Sequence, residues 1–501
     1  MEQMHAFFDP RSVAVVGASR KIHKAGHVIF KNFVANKRRG VFKGELYPVN
    51  LHEKSVLGFR CYPSVVEIPG EVELVVIVVP ANHVPSVMRD AAAKKAKAVV
   101  IITAGFGEVG NHELENQIVA IANKAGIRIL GPNCLGVYDS RTGVDMLFLP
   151  ETKVLTTGDE VVATPRPMPG NMAIATQSGA FGAAALDYLT GRQIGVSKFV
   201  SFGNKCDVNE AEMLYYLLLD KETRAILLYV EDIKNGREFL ETAKKVTKKK
   251  PIVVLKCGRT KAGARAAASH TGAIAGSDRI YDAVFAQTGI FRVKDMEEFF
   301  DVGKAFVMQP PASEADIGII TDAGGPGIMA VDECELKGLR VKQFSEKTIQ
   351  KFEKLKDEGK LPKFATNLNP VDITGSGTSE MFESAAKILF EDPEIHGVIL
   401  LGLHHTPALQ EDFIDKVAKV ASKYECDKPI VVCDIGETEM ALRTRFRFDK
   451  FGIPAYSSPE DAARAMNALV RYGLYLKRNR CLKDYIRKFL QDKQIRTILA
   501  E

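Results

Sequence analysis

Ser12-Val13-Ala14-Val15-Val16-Gly17-Ala18-Ser19 is a short apolar, valine-rich run that stops at a glycine. A strand with no polar alternation is covered on both faces, as in a parallel sheet layered between helices. Outward from it the pattern repeats in Leu46-Tyr47-Pro48-Val49, Leu74-Val75-Val76-Ile77-Val78-Val79-Pro80, Ala98-Val99-Val100-Ile101-Ile102-Thr103 and Ile127-Arg128-Ile129-Leu130. Ala/Lys-rich helical stretches over 84–97 and 111–124 separate most of these runs. The alternation predicts a doubly wound α/β domain over residues 6–140. Ligands of such sheets bind beyond the carboxyl ends of the strands. Those ends read Gly17-Ala18-Ser19-Arg20, Val79-Pro80-Ala81, Thr103-Ala104-Gly105-Phe106-Gly107-Glu108 and Gly131-Pro132-Asn133-Cys134-Leu135-Gly136.

A dinucleotide site would place Gly-x-Gly-x-x-Gly after the first strand and an acid at the end of the second. Here one glycine is followed by Ala18-Ser19-Arg20, and the second strand ends in Pro48-Val49-Asn50. Both departures weigh against NAD and leave a phosphorylated nucleotide of another kind.

At 501 residues the chain has room for about three domains. Its 46% hydrophobic and 26% charged content is that of a globular protein with real cores. The net charge of +6 is spread among 62 acidic residues, so no nucleic-acid partner is expected. Eight cysteines include no Cys-x-x-Cys pair, which speaks against a zinc site or a secreted disulfide framework. The start lacks a basic and then apolar leader, and no apolar run approaches the ~20 residues that span a bilayer. A cytoplasmic protein is expected.

Three prolines, Pro165, Pro167 and Pro169, suggest a linker over residues 140–170. A second domain, 150–305, then opens with a strand, Asn171 to Thr176, the turn Gln177-Ser178-Gly179 and a helix from Ala180. A helix starting at a strand's end points its free N–H groups at whatever lies there, which makes an anion site. A later strand, Ala225 to Val230, ends in Glu231-Asp232, and another, Pro251 to Lys256, leads through a basic, Ala-rich run to Ser269-His270-Thr271-Gly272-Ala273. A histidine among small residues on a flexible loop is a candidate covalent nucleophile. A third domain, 313–467, repeats the arrangement with Ile317 to Thr321, then Asp322-Ala323-Gly324-Gly325-Pro326-Gly327 and a helix from about Ile328. His404-His405 could suggest a metal, but neighbours on a strand point to opposite faces and no other ligand is near in sequence, so none is expected. Residues 468–501 read as a terminal amphipathic helix.

Gly17-Ala18-Ser19, Tyr47-Pro48-Val49-Asn50, Val79-Pro80-Ala81 and Gly131 to Gly136 resemble the CoA-binding domain of the succinyl-CoA synthetase superfamily. Thr176 to Ala180 and Ser269 to Ala273 resemble its phosphohistidine half, and Asn369-Pro370-Val371-Asp372-Ile373-Thr374 recurs beside the same centre. The closer likeness is to the archaeal, nucleoside-diphosphate-forming acyl-CoA synthetases. The resemblance implies a Rossmann-like CoA-binding domain followed by two flavodoxin-like ligase domains. It implies coenzyme A contacts at Gly17, Ala18, Ser19, Arg20, Asn50, Val79, Pro80, Ala81, Thr103, Gly105, Asn133 and Cys134, the last as a pocket-lining residue. His270 becomes the phosphoryl carrier and Glu231 its orienting carboxylate. Gln177, Ser178, Gly179 and Ala180, with Gly324, Gly325 and Gly327, become the two phosphate-binding helix starts.

The superfamily's ATP-grasp domain has no counterpart in this sequence. The resemblance therefore implies an α subunit whose ADP/ATP and Mg2+ sit on a separate ATP-grasp β subunit, in an α2β2 assembly, acting on a small acid or acyl-CoA and phosphate. A succinyl- or citryl-CoA type ligase of the same superfamily, and a non-catalytic CoA-binding scaffold, are the alternatives.

Overall fold

The structure, a computed structural model, describes residues 2–271, 277–424 and 428–500, with backbone only for 268–271 and 494–500. It forms two compact units, Met1–Arg292 and Val293–Glu501. In the first unit, five parallel strands lie in the spatial order Glu45–Val49, Ser12–Val16, Leu74–Ile77, Ala98–Ile101, Arg128–Leu130. Every residue of Ser12–Val16, Leu74–Ile77 and Ala98–Ile101 is buried, as the unbroken apolar runs require. The chain begins mid-sheet and builds outward on both sides, so the topological switch point falls between Ser12–Val16 and Leu74–Ile77.

The second sheet has seven strands in the order Phe291–Val293, Ile252–Lys256, Ala225–Val230, Pro169–Thr176, Val196–Ser201, Val137–Asp139, Val144–Asp145. From Ile252–Lys256 to Val196–Ser201 the strands are parallel, and the last two form an antiparallel edge. Residues 137–145, where the sequence suggests a domain end and a linker, are thus the edge of the second sheet. Two strands of three and two residues, parted by the Arg141-Thr142-Gly143 turn, are too short to show a period. The two sheets share one core, in which Val13, Phe30, Val100 and Leu130 are continuous with Val137, Met146, Val200, Phe202 and Ile226.

The backbone of 203–208 seals the seam between these sheets. Asn204 N donates to Pro132 O at 2.9 Å, Cys206 N to Gly131 O at 3.1 Å and Val208 N to Ile129 O at 3.1 Å. Arg128 adds a forked pair with Asp207 at 2.9 Å and Glu212 at 2.8 Å.

The second unit holds five parallel strands in the order Val371–Asp372, Ile317–Thr321, Gly397–Leu401, Ile430–Cys433, Ala455–Tyr456. Helix Met296–Met308, expected within the preceding domain, belongs to this unit. The expected tail helix is two helices, Pro459–Arg478, which starts well before residue 468, and Leu482–Ala500. No helix among the described residues is long and apolar enough to cross a membrane.

Gly203 sits at φ +60°, and a Cβ there would lie 2.1 Å from Pro132 O. Gly203→Ala is expected to cost on the order of 1–3 kcal/mol through strain at the seam, read as a lowered thermal midpoint by calorimetry. An unchanged midpoint would show that the seam is not tightly packed.

Candidate functional site

The rim of the first sheet is held by short side-chain-to-backbone bonds. Gly17 N donates to Val49 O at 2.9 Å, and at φ +96° a Cβ on Gly17 would lie 2.4 Å from Val78 O. Only glycine fits that turn. Asn50 Nδ2 donates to Ala18 O at 2.7 Å, so the end of the second strand holds the loop after the first. Ser19 Oγ accepts from Lys21 N at 3.1 Å, and Ser19 O accepts from His27 Nδ1 at 2.8 Å. Thr103 Oγ1 donates to Val79 O at 2.7 Å, and Asn133 N donates to Thr103 O at 2.9 Å. Gly17, Ala18, Ser19, Arg20, Asn50, Val79, Pro80, Ala81, Thr103, Gly105, Asn133 and Cys134 all follow strand ends of this one sheet.

Arg20 and Asn133 are exposed there, whereas Cys134 is buried and its Sγ donates to Ile101 O at 3.4 Å. Burial pushes the Cys134 thiol up to about 12, so it stays protonated and is no nucleophile. The rim turns at Gly17 and presents the exposed Arg20 there, which fits a phosphorylated ligand such as coenzyme A.

A second layer of contacts, invisible in the sequence, ties this rim to the next sheet. Asn204 Nδ2 donates to Glu108 Oε2 at 2.5 Å and to Glu115 Oε2 at 2.9 Å. Glu115 also accepts from Gly107 N at 3.1 Å. The only hint in the sequence is Gly203-Asn204, a turn dipeptide just past a strand end.

At the carboxyl rim of the second sheet, Gln177 is buried and bonded through both its amide oxygen and its amide nitrogen. Its Oε1 accepts from Glu231 N at 2.7 Å and Asp232 N at 3.2 Å, and its Nε2 donates to Asp232 Oδ1. Lys205, buried beside Glu210, donates to Asp232 O at 2.9 Å and to Asp232 Oδ1 at 3.1 Å. The Glu231-Asp232 turn is therefore clamped from two sides. The Glu231 carboxylate accepts from Tyr229 OH at 3.3 Å, and the Tyr229 ring stacks on Phe181 at 4.3 Å. Ser178 Oγ caps helix Gly179–Gly191 by accepting from Phe181 N at 3.2 Å. The N–H groups of Gly179 and Ala180 precede the first intrahelical bond, from Gly182 N to Ser178 O. They are the groups of this turn that can meet an anion. Gln177 contributes by holding Glu231 in place.

The run before His270 is helical. Lys261–Thr271 is an α-helix, where the sequence suggests a loop, because Ala262, Ala264 and Ala266 to Ala268 favour helix and Thr260 Oγ1 caps it by accepting from Gly263 N at 3.0 Å. This helix runs alongside the Gly107–Val109 turn of the first sheet's rim. The side chain of His270 and residues 272–276 lie outside the described residues.

In the second unit, Gly324 and Gly325 open helix Gly324–Leu336 and are exposed, while Gly327 packs on Thr321. Asp372 lies beside this start, its Oδ2 3.1 Å from where a Gly324 Cβ would stand. Asp322 is buried, accepting from Leu403 N at 3.2 Å and Thr406 Oγ1 at 2.8 Å. His404 and His405 do not point to opposite faces. They lie in the turn after strand Gly397–Leu401, and their ring centroids are 3.9 Å apart. Among the described residues no group of three or more His, Cys, Asp or Glu could hold a metal ion.

Family models match nearly the whole chain: a CoA binding domain over 11–140, a succinyl-CoA ligase like flavodoxin domain over 169–306 and a ligase-CoA domain over 317–473. The "Acetate--CoA ligase [ADP-forming] II subunit alpha" of Pyrococcus furiosus is 39% identical over 93% of this chain and 97% of its own length. The chain belongs to the ADP-forming acetate–CoA ligase family.

Another family member, from Methanocaldococcus jannaschii, is 38% identical, and this chain spans 62% of its length. The solved dinucleotide-forming acetyl-coenzyme A synthetase 1 of Ca. Korarchaeum cryptofilum, in complex with phosphate and ADP, aligns with a TM-score of 0.85 at 34% identity. That alignment covers 97% of this chain and 99% of the other. In this ligase-family chain Asp322 is an unusual carboxyl group. Burial, with Asp434 nearby, raises Asp322 from the ordinary carboxyl range to about 6. Between about pH 4 and about pH 6 the folded chain holds a proton that the unfolded chain has lost, so this group's contribution to stability falls as pH rises through that window. Asp322→Asn keeps an oxygen for Leu403 N and Thr406, and its thermal midpoint relative to wild type should rise across the same window. A midpoint difference independent of pH would contradict the assignment.

Proposed function

We propose that this chain is the α subunit of an ADP-forming acyl-CoA synthetase that interconverts acyl-CoA, phosphate and ADP with acid, CoA and ATP, with acetate as the acid. The observation that carries the reading lies within the first unit. The helix bearing His270 runs beside the rim turn Gly107–Val109 of a CoA-type domain, and that domain shares one core with the sheet presenting Glu231. Carriage of a group away from CoA needs that adjacency.

Coenzyme A is held at the rim from Gly17 to Asn133, and its thiol, with Cys134 inert, is the sulfur of the thioester. Phosphate attacks the acyl carbonyl, giving acyl phosphate and CoA. One imidazole nitrogen of His270 then takes the phosphoryl group and releases the carboxylate. Glu231 on the other nitrogen sets the tautomer and balances the imidazolium charge. The N–H groups of Gly179 and Ala180 cradle the phosphoryl oxygens without a proton to lose, and the helix start at Gly324, Gly325 and Gly327 is a second phosphate-binding turn. The carrier segment passes the group to ADP, with Mg2+, on a separate ATP-grasp β subunit. A two-plus-two assembly in the cytoplasm completes the proposal. The α-subunit naming of relatives matched along almost their full length supports a separate partner.

His270→Ala is expected to remove ATP formation, by roughly 10⁴-fold or more as for loss of a nucleophile, while CoA affinity stays within about twofold. Coupled ATP formation and calorimetric CoA titration, with the co-expressed partner, measure the two. Retained ATP formation in the variant would contradict the assignment.

A further inference from the structure

The acyl carbon of the proposed reaction is shared by two sites. Its bond to the CoA sulfur breaks while its bond to a phosphate oxygen forms. The acyl substituent therefore lies where the CoA rim meets the phosphate-binding turn of the second sheet. Both belong to the first unit and rest on its common core. What bounds the size of that substituent is then a question about the side chains at the meeting point.

The meeting point is Leu135 against Gly179. Leu135 lies in the rim loop Gly131 to Gly136, and its N–H donates to Ser201 Oγ at 3.0 Å. A Cβ on Gly179 would stand 3.6 Å from Leu135 Cβ. Helix Gly179–Gly191 cannot draw back from this point to make room. A Cβ on Gly182 would lie 2.6 Å from Phe199 Cζ and 3.0 Å from Thr176 Cγ2, so the helix is seated directly on the sheet. Its first turn is otherwise small, because Gly179, Ala180 and Gly182 leave Phe181 as the bulky side chain there. Phe181 is half-buried, and its N–H is fixed by Ser178 Oγ at 3.2 Å. Its ring stacks on Tyr229 with centroids 4.3 Å apart and planes 22° apart. Tyr229 is held in turn by the bond from its OH to Glu231 Oε1 at 3.3 Å. The ring pair thus bridges the phosphate turn and the carboxylate. A ring backed by a second ring in a packed setting does not yield to a longer chain.

We infer that Phe181 sets the upper size of the acyl group and restricts the chain to short monocarboxylic acids of the acetate class; the inference rests on the acyl-phosphate reading above. Phosphate on the N–H groups of Gly179 and Ala180 places the attacked carbon over the first turn of the helix. A two-carbon acyl group ends at the Phe181 ring, and each further methylene has to enter the space that the ring fills. Phe181 makes and breaks no bond in the reaction. Its truncation changes which acid is accepted and removes no group that the chemistry uses.

ATP formation from acyl-CoA, phosphate and ADP, by the full chain with its co-expressed partner, reads this when acetyl-CoA and butyryl-CoA are compared. Wild type is expected to favour acetyl-CoA. Phe181→Ala should raise the ratio of kcat/KM for butyryl-CoA to that for acetyl-CoA by roughly 10- to 100-fold over wild type, the range that one or two methylenes command in an apolar pocket. Phe181→Leu should move the ratio in the same direction by a smaller factor.

An unchanged ratio in Phe181→Ala, at any level of activity, overturns the inference, because a merely structural role lowers both substrates alike. Should that variant not fold, an unchanged ratio in Phe181→Leu overturns it instead. A wild type that uses butyryl-CoA as well as acetyl-CoA overturns it too. If wild type forms ATP from neither, the acyl-phosphate reading falls and this inference falls with it.

Discussion

The first unit depends on one backbone-to-backbone clamp. Ile129, Gly131 and Pro132 offer their carbonyls at the end of the first sheet, and Val208, Cys206 and Asn204 of the second sheet's first return loop donate to them. Buried carbonyls need such partners, and here the partners come from another sheet. Two α/β layers that could fold as separate domains thereby become one body with a common core. Their carboxyl rims, where ligands of such sheets bind, are held in one relation. Asn204 extends the clamp into side chains through Glu108 and Glu115.

Around that clamp the chemistry is built by indirection. Gln177 looks like a ligand-binding amide, yet its oxygen and nitrogen both bond to the Glu231-Asp232 turn. Lys205 and Glu210, neither adjacent in sequence to any motif, finish the job. The carboxylate proposed to orient the carrier histidine is thus placed by Gln177, Lys205 and Glu210. The same economy appears in the second unit, where Asp322 fixes the 403–406 turn and Asp434 the His404 ring.

Most strands of the three sheets were legible because a buried parallel strand is an unbroken apolar run, as in Leu74–Ile77 or Gly397–Leu401, whereas Val196–Ser201, Phe291–Val293, Val371–Asp372 and Ala455–Tyr456 were not read. The rim residues from Gly17 to Asn133 were legible by their position just past the ends of those runs. Strands Val137–Asp139 and Val144–Asp145 were not either, since two or three residues carry no period. The helix through Thr271 was obscured by glycines that flank its alanines. Asn204, Lys205 and Asp434 were out of reach for a simpler reason: their partners are distant in the chain, and only the folded sheets bring them together.

In the proposed reaction His270 carries phosphate from an acyl phosphate made at a CoA site, and its role decides the rest. It is tested most directly by incubating the chain with its partner subunit, acetyl-CoA and radioactive phosphate, without ADP, and mapping the label by peptide. Acid-labile, base-stable label is expected on the peptide containing His270 and none in His270→Ala. Label on a different peptide, or label that survives in His270→Ala, would contradict it.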